Sequence, residues 1–289
     1  MPELAEVEFF RRRWWEAGAR ATVRRAEVWA GSLVFRGLAG EFAGGAMGLA
    51  NSLAGTHLLH SGTHGKQMWF VCKIDRVRRL WLGVHLGMTG SLRAEPSGYI
   101  PRKHDALVLR LPRQALVFHD PRQFGRVRAW AGKAGARPPW LRNLPAEILS
   151  AKFTPEFVRR VLTRHLRAPL KAVLLMQKYF PGVGNWMADE ILWRAKLPPR
   201  LPAGRAGTPK IARTLTATIR RVTRDARRVI AGVDGKLPPD LNVHIPDSWL
   251  FNHRWKDGGL CPKTKAPLRR EVIGGRTTCW SPAWQRGPK

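Results

Sequence analysis

The chain has 289 residues, with 51 Lys+Arg against 20 Asp+Glu and a formal net charge of +31. An apolar fraction of 44% supports a folded core and excludes general disorder. No apolar run approaches the ~18 residues of a membrane span, and three Cys exclude a disulfide-built secreted scaffold. The opening MPELAEVEFF is acidic where a secretion signal is basic, so an intracellular protein with no membrane partner is expected. Charge of this sign and size predicts a polyphosphate partner, that is, nucleic acid. The excess is uneven. Residues 1–135 carry 21 Lys+Arg and 10 Asp+Glu, net +11, whereas residues 136–289 carry 30 and 10, net +20. The second half should own much of the backbone grip.

The first element is a helix. Leu4, Val7, Phe10 and Trp14 recur at spacings of three and four, and Gly18 can cap the end. Arg11, Arg12 and Arg13 lie toward its C-terminus, where cations are favoured. The period then changes to two. Val77, then Leu80, Leu82, Val84 and Leu86 mark one strand, Leu107, Leu109 and Leu111 a second, and Ala115 to Phe118 a third. Short strands between Gly, Pro and charged turns predict an antiparallel sandwich or barrel.

Around residues 131–150 the composition turns to Gly, Pro and Ala, which reads as a linker, and the pattern beyond it is helical. Thr154-Pro155-Glu156 supplies an N-cap, a first-position Pro and an early carboxylate. Further helices are predicted from Pro169 to Gln177, from Asn185, and from Thr208-Pro209 through Ile230. The last of these has Arg213, Arg220, Arg224 and Arg227 on its outer face, as a solvated row or a phosphate grip. In the tail, Leu268–Ile273, Gly274-Gly275 and Arg276–Trp280 form a hairpin with a glycine turn. The fold class is therefore α+β. An N-terminal antiparallel β-sandwich with a leading helix is expected at 1–135 and a linker at 136–150. A helical domain follows at 151–244 and a β-hairpin finger at 245–289.

Five segments carry chemistry. In Met1-Pro2-Glu3, removal of Met1 leaves Pro2 with a secondary amine, and an α-amino group is less protonated near neutral pH than a Lys side chain. Such an amine attacks a sugar aldehyde carbon to give an iminium directly, and Glu3 could move the protons. The alternative is a Pro that only starts a helix. In HLGMTGSLR at 85–93, Met88 is an apolar wedge near cations, suited to entering a base stack, or a packed core Met. In Asp120-Pro121-Arg122-Gln123-Phe124-Gly125, a turn exposing Arg122 and Phe124 could fill the gap left by an extruded base, or be an ordinary Asp-Pro turn. Gly182-Val183-Gly184-Asn185 feeds a helix start, after a helix carrying Lys171. Its free N–H groups offer a phosphate site, or it is a plain helical joint. Cys261-Pro262-Lys263-Thr264 and Cys279-Trp280-Ser281-Pro282 resemble two Cys-x-x-Cys knuckles, each lacking its second Cys. A structural zinc needs four N or S ligands, so no metal and no other cofactor is expected. Cys72 reads as a buried core thiol.

Taken together, Pro2-Glu3-Leu4, Gly65-Lys66, HLGMTGSLR, Lys103-His104-Asp105, DPRQFG, GVGNWMADEIL at 182–192 and GGRTTC at 274–279 resemble, in order, the formamidopyrimidine-DNA glycosylase/endonuclease VIII family. The resemblance implies a β-sandwich, a helix-two-turn-helix domain and a finger. It implies a bifunctional glycosylase/AP lyase acting as a monomer on damaged double-stranded DNA, with oxidised purines such as 8-oxoguanine and formamidopyrimidines favoured. It further implies that Pro2 is the Schiff-base nucleophile, Glu3 the proton donor and Lys66 the lysine of β-elimination. Arg276 becomes the finger arginine of phosphate binding and δ-elimination. Met88, Arg122 and Phe124 become the gap-filling trio, His104, Lys171 and Asn185 phosphate contacts, and Glu6 part of the lesion pocket. The missing Cys pair, GVGNWMADE and GGRTT resemble the plant-type branch with a zincless finger. Gln123 stands where the family commonly has a second Arg, and residues 232–249 do not match the lesion-capping loop of bacterial 8-oxoguanine enzymes. The competing reading is a non-catalytic basic nucleic-acid binder, which would need no N-terminal amine.

Overall fold

The structure, a computed structural model, describes residues 2–287. The chain forms two compact units, one of Pro2 with Glu6–Leu144 and one of Glu3–Ala5 with the chain from Pro145 onward. In the first unit, α1 (Leu4–Gly18) precedes two four-stranded antiparallel sheets. One is ordered β1 (Arg25–Val28), β6 (Asp105–Arg110), β7 (Gln114–His119), β5 (Ser91–Pro96). The other is ordered β2 (His57–His64), β3 (Gln67–Lys73), β4 (Arg78–His85), β8 (Arg126–Lys133). Short helices α2 (Leu38–Glu41) and α3 (Gly45–Leu53) fill the connection from β1 to β2.

The apolar stripe of α1 is buried against both sheets. The Trp14 ring lies 5.1 Å from Phe70 of β3, and its indole N–H donates to Arg93 O of β5 at 3.0 Å. At Gly18 a Cβ would come within 2.9 Å of Leu116 Cδ1 of β7, so a side chain there would push the helix end off the sheet. Strands β4, β6 and β7 fall where the period-two pattern puts them. Strands β1, β2, β3, β5 and β8 lie outside the predicted ones, and Val77, predicted to begin a strand, is exposed ahead of β4. β2 reads HLLHSGTH, is largely polar, and is bulged between Leu58 and His60, which breaks the alternation. β8 runs to Lys133, so the compositional shift begins inside a strand.

In the second unit, α4 (Pro155–Arg164) starts at Thr154, whose hydroxyl accepts from Phe157 N, as its capping sequence predicts. The turn-helix α5 (Leu170–Leu174) is shorter than the predicted 169–177. Then come α6 (Asn185–Arg194), the four-residue α7 (Ala203–Ala206) and the 23-residue α8 (Pro209–Ala231). Thr208 caps α8 and Gly232, in the left-handed region at φ 60°, ends it. Helix α6 is buried from Trp186 to Trp193. The finger is β9 (Arg269–Ile273) paired with β10 (Arg276–Trp280), and Gly274 and Gly275 both take positive φ at the two-residue turn.

The arginine row of α8 is not uniform. Arg213 and Arg224 are exposed. Arg220 instead donates to Phe153 O, Leu149 O and Ser150 O at 3.1, 3.1 and 3.3 Å, and so staples the segment ahead of α4. We expect Arg220→Ala to lower unfolding free energy by about 1–3 kcal/mol, as for lost hydrogen bonds from a charged donor. Urea denaturation followed by far-UV circular dichroism checks this, and an unchanged midpoint would contradict it.

Candidate functional site

Three of the predicted contact segments converge on one buried residue, Asp120, in the first unit. Asp120 accepts from Thr89 Oγ1 at 3.1 Å and from Gly125 N at 2.7 Å, and its own N–H donates to His104 O at 3.0 Å. The loop carrying Met88 and the loop carrying Arg122 and Phe124 touch backbone to backbone. A Cβ at Gly87, where φ is +63°, would lie 2.4 Å from Phe124 C. Only glycine permits that approach. Phe124 is 49% exposed, and the Arg122 guanidinium lies over its ring at 4.8 Å. Met88 and His104 are half-buried. The surface around this node therefore combines an exposed ring, an apolar side chain and a guanidinium. His104 sits at φ 72° with Nδ1 buried and without a partner, a strained setting of the kind found at binding sites.

Lys66 occupies the two-residue turn between β2 and β3, made possible by Gly65 at φ 58°. His85, at the end of β4, was read only as part of its motif. Burial, and then the charges of Lys66 and Arg36, hold its imidazole below the usual histidine range. Its Nδ1 accepts from Gly87 N at 3.1 Å, which leaves the proton of the neutral ring on Nε2. Glu6 is buried on α1, and Pro2 is half-buried ahead of it. Met1, whose removal frees the Pro2 amine, lies outside the described residues.

In the second unit the start of α6 is not the open phosphate site that its glycines suggest. The Glu3 carboxylate takes those N–H groups: Oε2 accepts from Gly184 N at 2.9 Å and Met187 N at 3.1 Å, and Oε1 from Trp186 N at 2.9 Å. A Cβ at Gly184 would lie 2.3 Å from Glu3 Cδ, so this glycine makes room for the carboxylate. The anion sits at the positive end of a helix.

The expectation for Lys171 is also corrected. Its side chain is fully buried, paired with Asp189, and donates to Asn185 O at 2.6 Å, so it faces protein rather than phosphate. Burial holds this ammonium below the usual lysine range, against the pull of Asp189. Asp189 also accepts from Arg254 Nη2 at 2.5 Å and from Cys279 N at 3.1 Å. Asn185 Nδ2 donates to Thr277 O at 2.7 Å. Helix α6 thus grips β10 next to Arg276, whose own side chain is exposed and makes no hydrogen bond or ion pair among the described residues.

Cys261 and Cys279 lie in one buried cluster with Trp193 and Leu250. Burial alone would raise the Cys261 thiol. Hydrogen bonds from Thr264, Ser281 and Trp193 bring it down to about 7, whereas burial pushes Cys279 up to about 11. Among the described residues, no group of three or more His, Cys, Asp or Glu could hold a metal ion, and no helix is long and apolar enough to cross a membrane.

Comparison with known proteins agrees with this geometry. The family model for the formamidopyrimidine-DNA glycosylase N-terminal domain matches residues 1–127, and that for the formamidopyrimidine-DNA glycosylase H2TH domain matches residues 144–233. The chain belongs to the formamidopyrimidine-DNA glycosylase family. Its relative of that name from Geobacter metallireducens is 33% identical over 286 residues, covering 99% of this chain and 100% of its own. One from Thermus thermophilus is 35% identical over 296 residues, with both chains covered in full. The crystal structure of the MutM (Fpg) protein from Thermus thermophilus aligns with TM-score 0.74 at 30% identity over 100% of both chains. Lactococcus lactis Fpg, solved in complex with DNA containing an abasic site, shares the fold at TM-score 0.78 and 22% identity, over 98% of this chain and 99% of its own.

Two outcomes follow from the second unit. Lys171→Met leaves the buried Asp189 short of one cation and should cost on the order of 3 kcal/mol of stability. If denaturant unfolding shows no loss, the pair is not a structural one. Thiolate absorbance near 240 nm should rise with a midpoint near pH 7 that Cys261→Ser removes, because Cys279 and Cys72 are pushed up to about 11 and about 12. With the folded value below the unfolded one near 9, this thiol's stabilising contribution is present in full above pH 9 and lost as pH falls through 7.

Proposed function

We propose that the protein is a bifunctional DNA glycosylase/AP lyase of base excision repair, acting inside the cell on damaged double-stranded DNA and favouring oxidised purines. The observation that carries this reading is the convergence of three loops on Asp120, which brings the backbone of the Met88 loop against that of the loop bearing Arg122 and Phe124. An apolar and cationic wedge of this kind fills the space of a base turned out of the duplex. Extrusion is required because the sugar carbon cannot be reached while the base is stacked.

In the proposed chemistry the Pro2 nitrogen forms a bond to the sugar C1′ as the bond to the damaged base breaks. The base leaves with its electron pair and gains a proton. The amine nitrogen gives up its proton, the C1′–O4′ bond of the sugar ring breaks as O4′ takes a proton, and the nitrogen lone pair forms the iminium; this acidifies C2′, whose proton is removed with help from Lys66, and the 3′ phosphate leaves. A second elimination releases the 5′ phosphate, held by Arg276. Glu3, fixed by three N–H donors, is placed as an acceptor; it hands on a proton only after taking one. The +31 charge supplies the sequence-independent attraction to the duplex. The absence of a second Cys at Thr264 and Pro282 supports a finger without zinc, held by its hydrogen bonds and by the Asp189 node. The boundaries proposed for the working parts are 1–135, 151–244 and 245–289.

Borohydride trapping on duplexes containing 8-oxoguanine, thymine glycol or an abasic site tests the reading directly. We expect a covalent adduct, lost when an uncleaved N-terminal extension blocks the Pro2 amine, while DNA affinity changes little. An adduct formed at the normal rate by the blocked protein would move the nucleophile to a lysine, and no adduct at all would favour the non-catalytic binder. In a salt titration, Arg276→Ala should weaken binding by about 1–3 kcal/mol and reduce the salt slope by about one unit. Phe124→Ala should leave that slope unchanged.

A further inference from the structure

The first unit contains a cavity of about 280 Å³ to which the roles above assign no ligand, although Phe124 forms part of its wall. It lies on the face of the β2-β3-β4-β8 sheet opposite α1: Phe70 of β3 meets Trp14, and side chains alternate along a strand, so Trp69 points to the other side. Three aromatic rings (Trp69, Trp140 and Phe124) and three guanidiniums (Arg36, Arg126 and Arg128) line it. The Trp140 indole packs directly over Gly83 of β4, where a Cβ would lie 3.4 Å from its Nε1 and 3.5 Å from Arg128 Cβ, so a larger side chain there would press on this wall of the cavity.

The charges are not balanced. Among the described residues, Glu41 is the one carboxylate paired with these guanidiniums, accepting from Arg126 Nη2 at 2.7 Å and from Arg128 Nε and Nη2 at 2.9 and 3.1 Å. Arg36 donates only to carbonyls, those of Leu33, Gln123 and Phe124 at 3.1, 3.0 and 3.2 Å. Three guanidiniums against one carboxylate leave two positive charges unneutralised. Arg126 Nε is buried and has no acceptor. Arg128 also lies over the Trp140 ring at 4.8 Å, which holds that indole in place. A volume at the small end of ligand pockets suits one planar group rather than two. Indole walls bind any base through its π face, and the surplus cations bind phosphate.

We propose that this cavity is a nucleotide subsite that takes one unstacked nucleotide, with its base on the Trp69 and Trp140 indoles and its phosphate on Arg36 and Arg126. The proposal rests on the DNA reading above. Phe124 belongs both to the wedge and to the cavity wall, so a base displaced by that ring has a receptor next to it. The same chemistry would accept a strand nucleotide or a free one.

The test uses the full-length protein and two duplexes of one sequence, fully paired or carrying a single unpaired 2-aminopurine, with 2-aminopurine deoxyribonucleoside monophosphate as competitor. The wild type should quench the unpaired probe and bind its duplex about fivefold or more tightly than the paired one, the effect of stacking one base. Gly83→Leu, which fills the cavity, and Trp140→Ala, which removes a partly exposed wall, should each erase the quench and the advantage while paired-duplex binding stays within about twofold. Competition by the monophosphate identifies free nucleotide as a ligand; its failure, with the advantage intact, identifies the strand. Quenching and advantage equal in the wild type and both variants would overturn the subsite. Failure of the wild type to bind paired duplex would instead remove the DNA reading.

Discussion

Buried carboxylates organise this protein. Seven of its 20 acidic residues (Glu3, Glu6, Glu8, Asp105, Asp120, Asp189 and Glu190) are buried, although such groups are almost never buried unless paired. Their partners are specific. Glu8 accepts from Arg11 and Thr63 Oγ1. Asp105 takes Arg93, the Tyr99 hydroxyl, Arg102 N and His119, and these donors outweigh burial and hold it below the usual carboxylate range. Asp120 ties loops, Glu3 occupies a helix start, and Asp189 gathers an ammonium, a guanidinium and a backbone N–H. In a low-dielectric interior each such anion is costly alone and firmly held when surrounded by donors. That makes it a tie-point between segments distant in sequence.

This arrangement shapes the outer field. Acidic groups placed inside cannot neutralise the surface, so the charge of the exposed arginines is left for phosphates. Glu190 marks the limit of the device: burial raises its carboxyl even though Arg194 donates to it at 2.7 Å.

The two units use the device differently. In the first, Asp120 fixes the geometry of the short loops that carry Met88, Arg122 and Phe124. In the second, Asp189 and Asn185 hold a two-stranded hairpin that would be marginal alone. Lys171 is turned inward to this task, whereas the side chain of Arg276 on the finger is exposed.

Much of this was legible in the residue order. Periodicity revealed α1, α8 and three strands, because each buries a regular face and the repeat survives in the sequence, while cap and glycine-turn residues marked α4, the start of α6 and the finger hairpin. The motifs around Met88, Asp120 and Gly184 marked segments that the fold ties together through Asp120 and Glu3. β2 and β3 were not legible: bulged, polar β2 lacks the alternation, and β3 is buried on both faces along most of its length. The fates of individual charges were not legible either. Lys171 and Arg220 look like phosphate ligands until their surroundings are known, and the glycine-flanked start of α6 looks vacant until Glu3, 183 residues from Trp186, is found on it. Sequence determines which residues carry charge and which faces are apolar, since those are properties of side chains and their spacing. Only tertiary structure decided which charges are satisfied inside and which remain for a ligand, because the strength of a charge interaction depends on distance and local dielectric, and both are set by what the fold brings alongside.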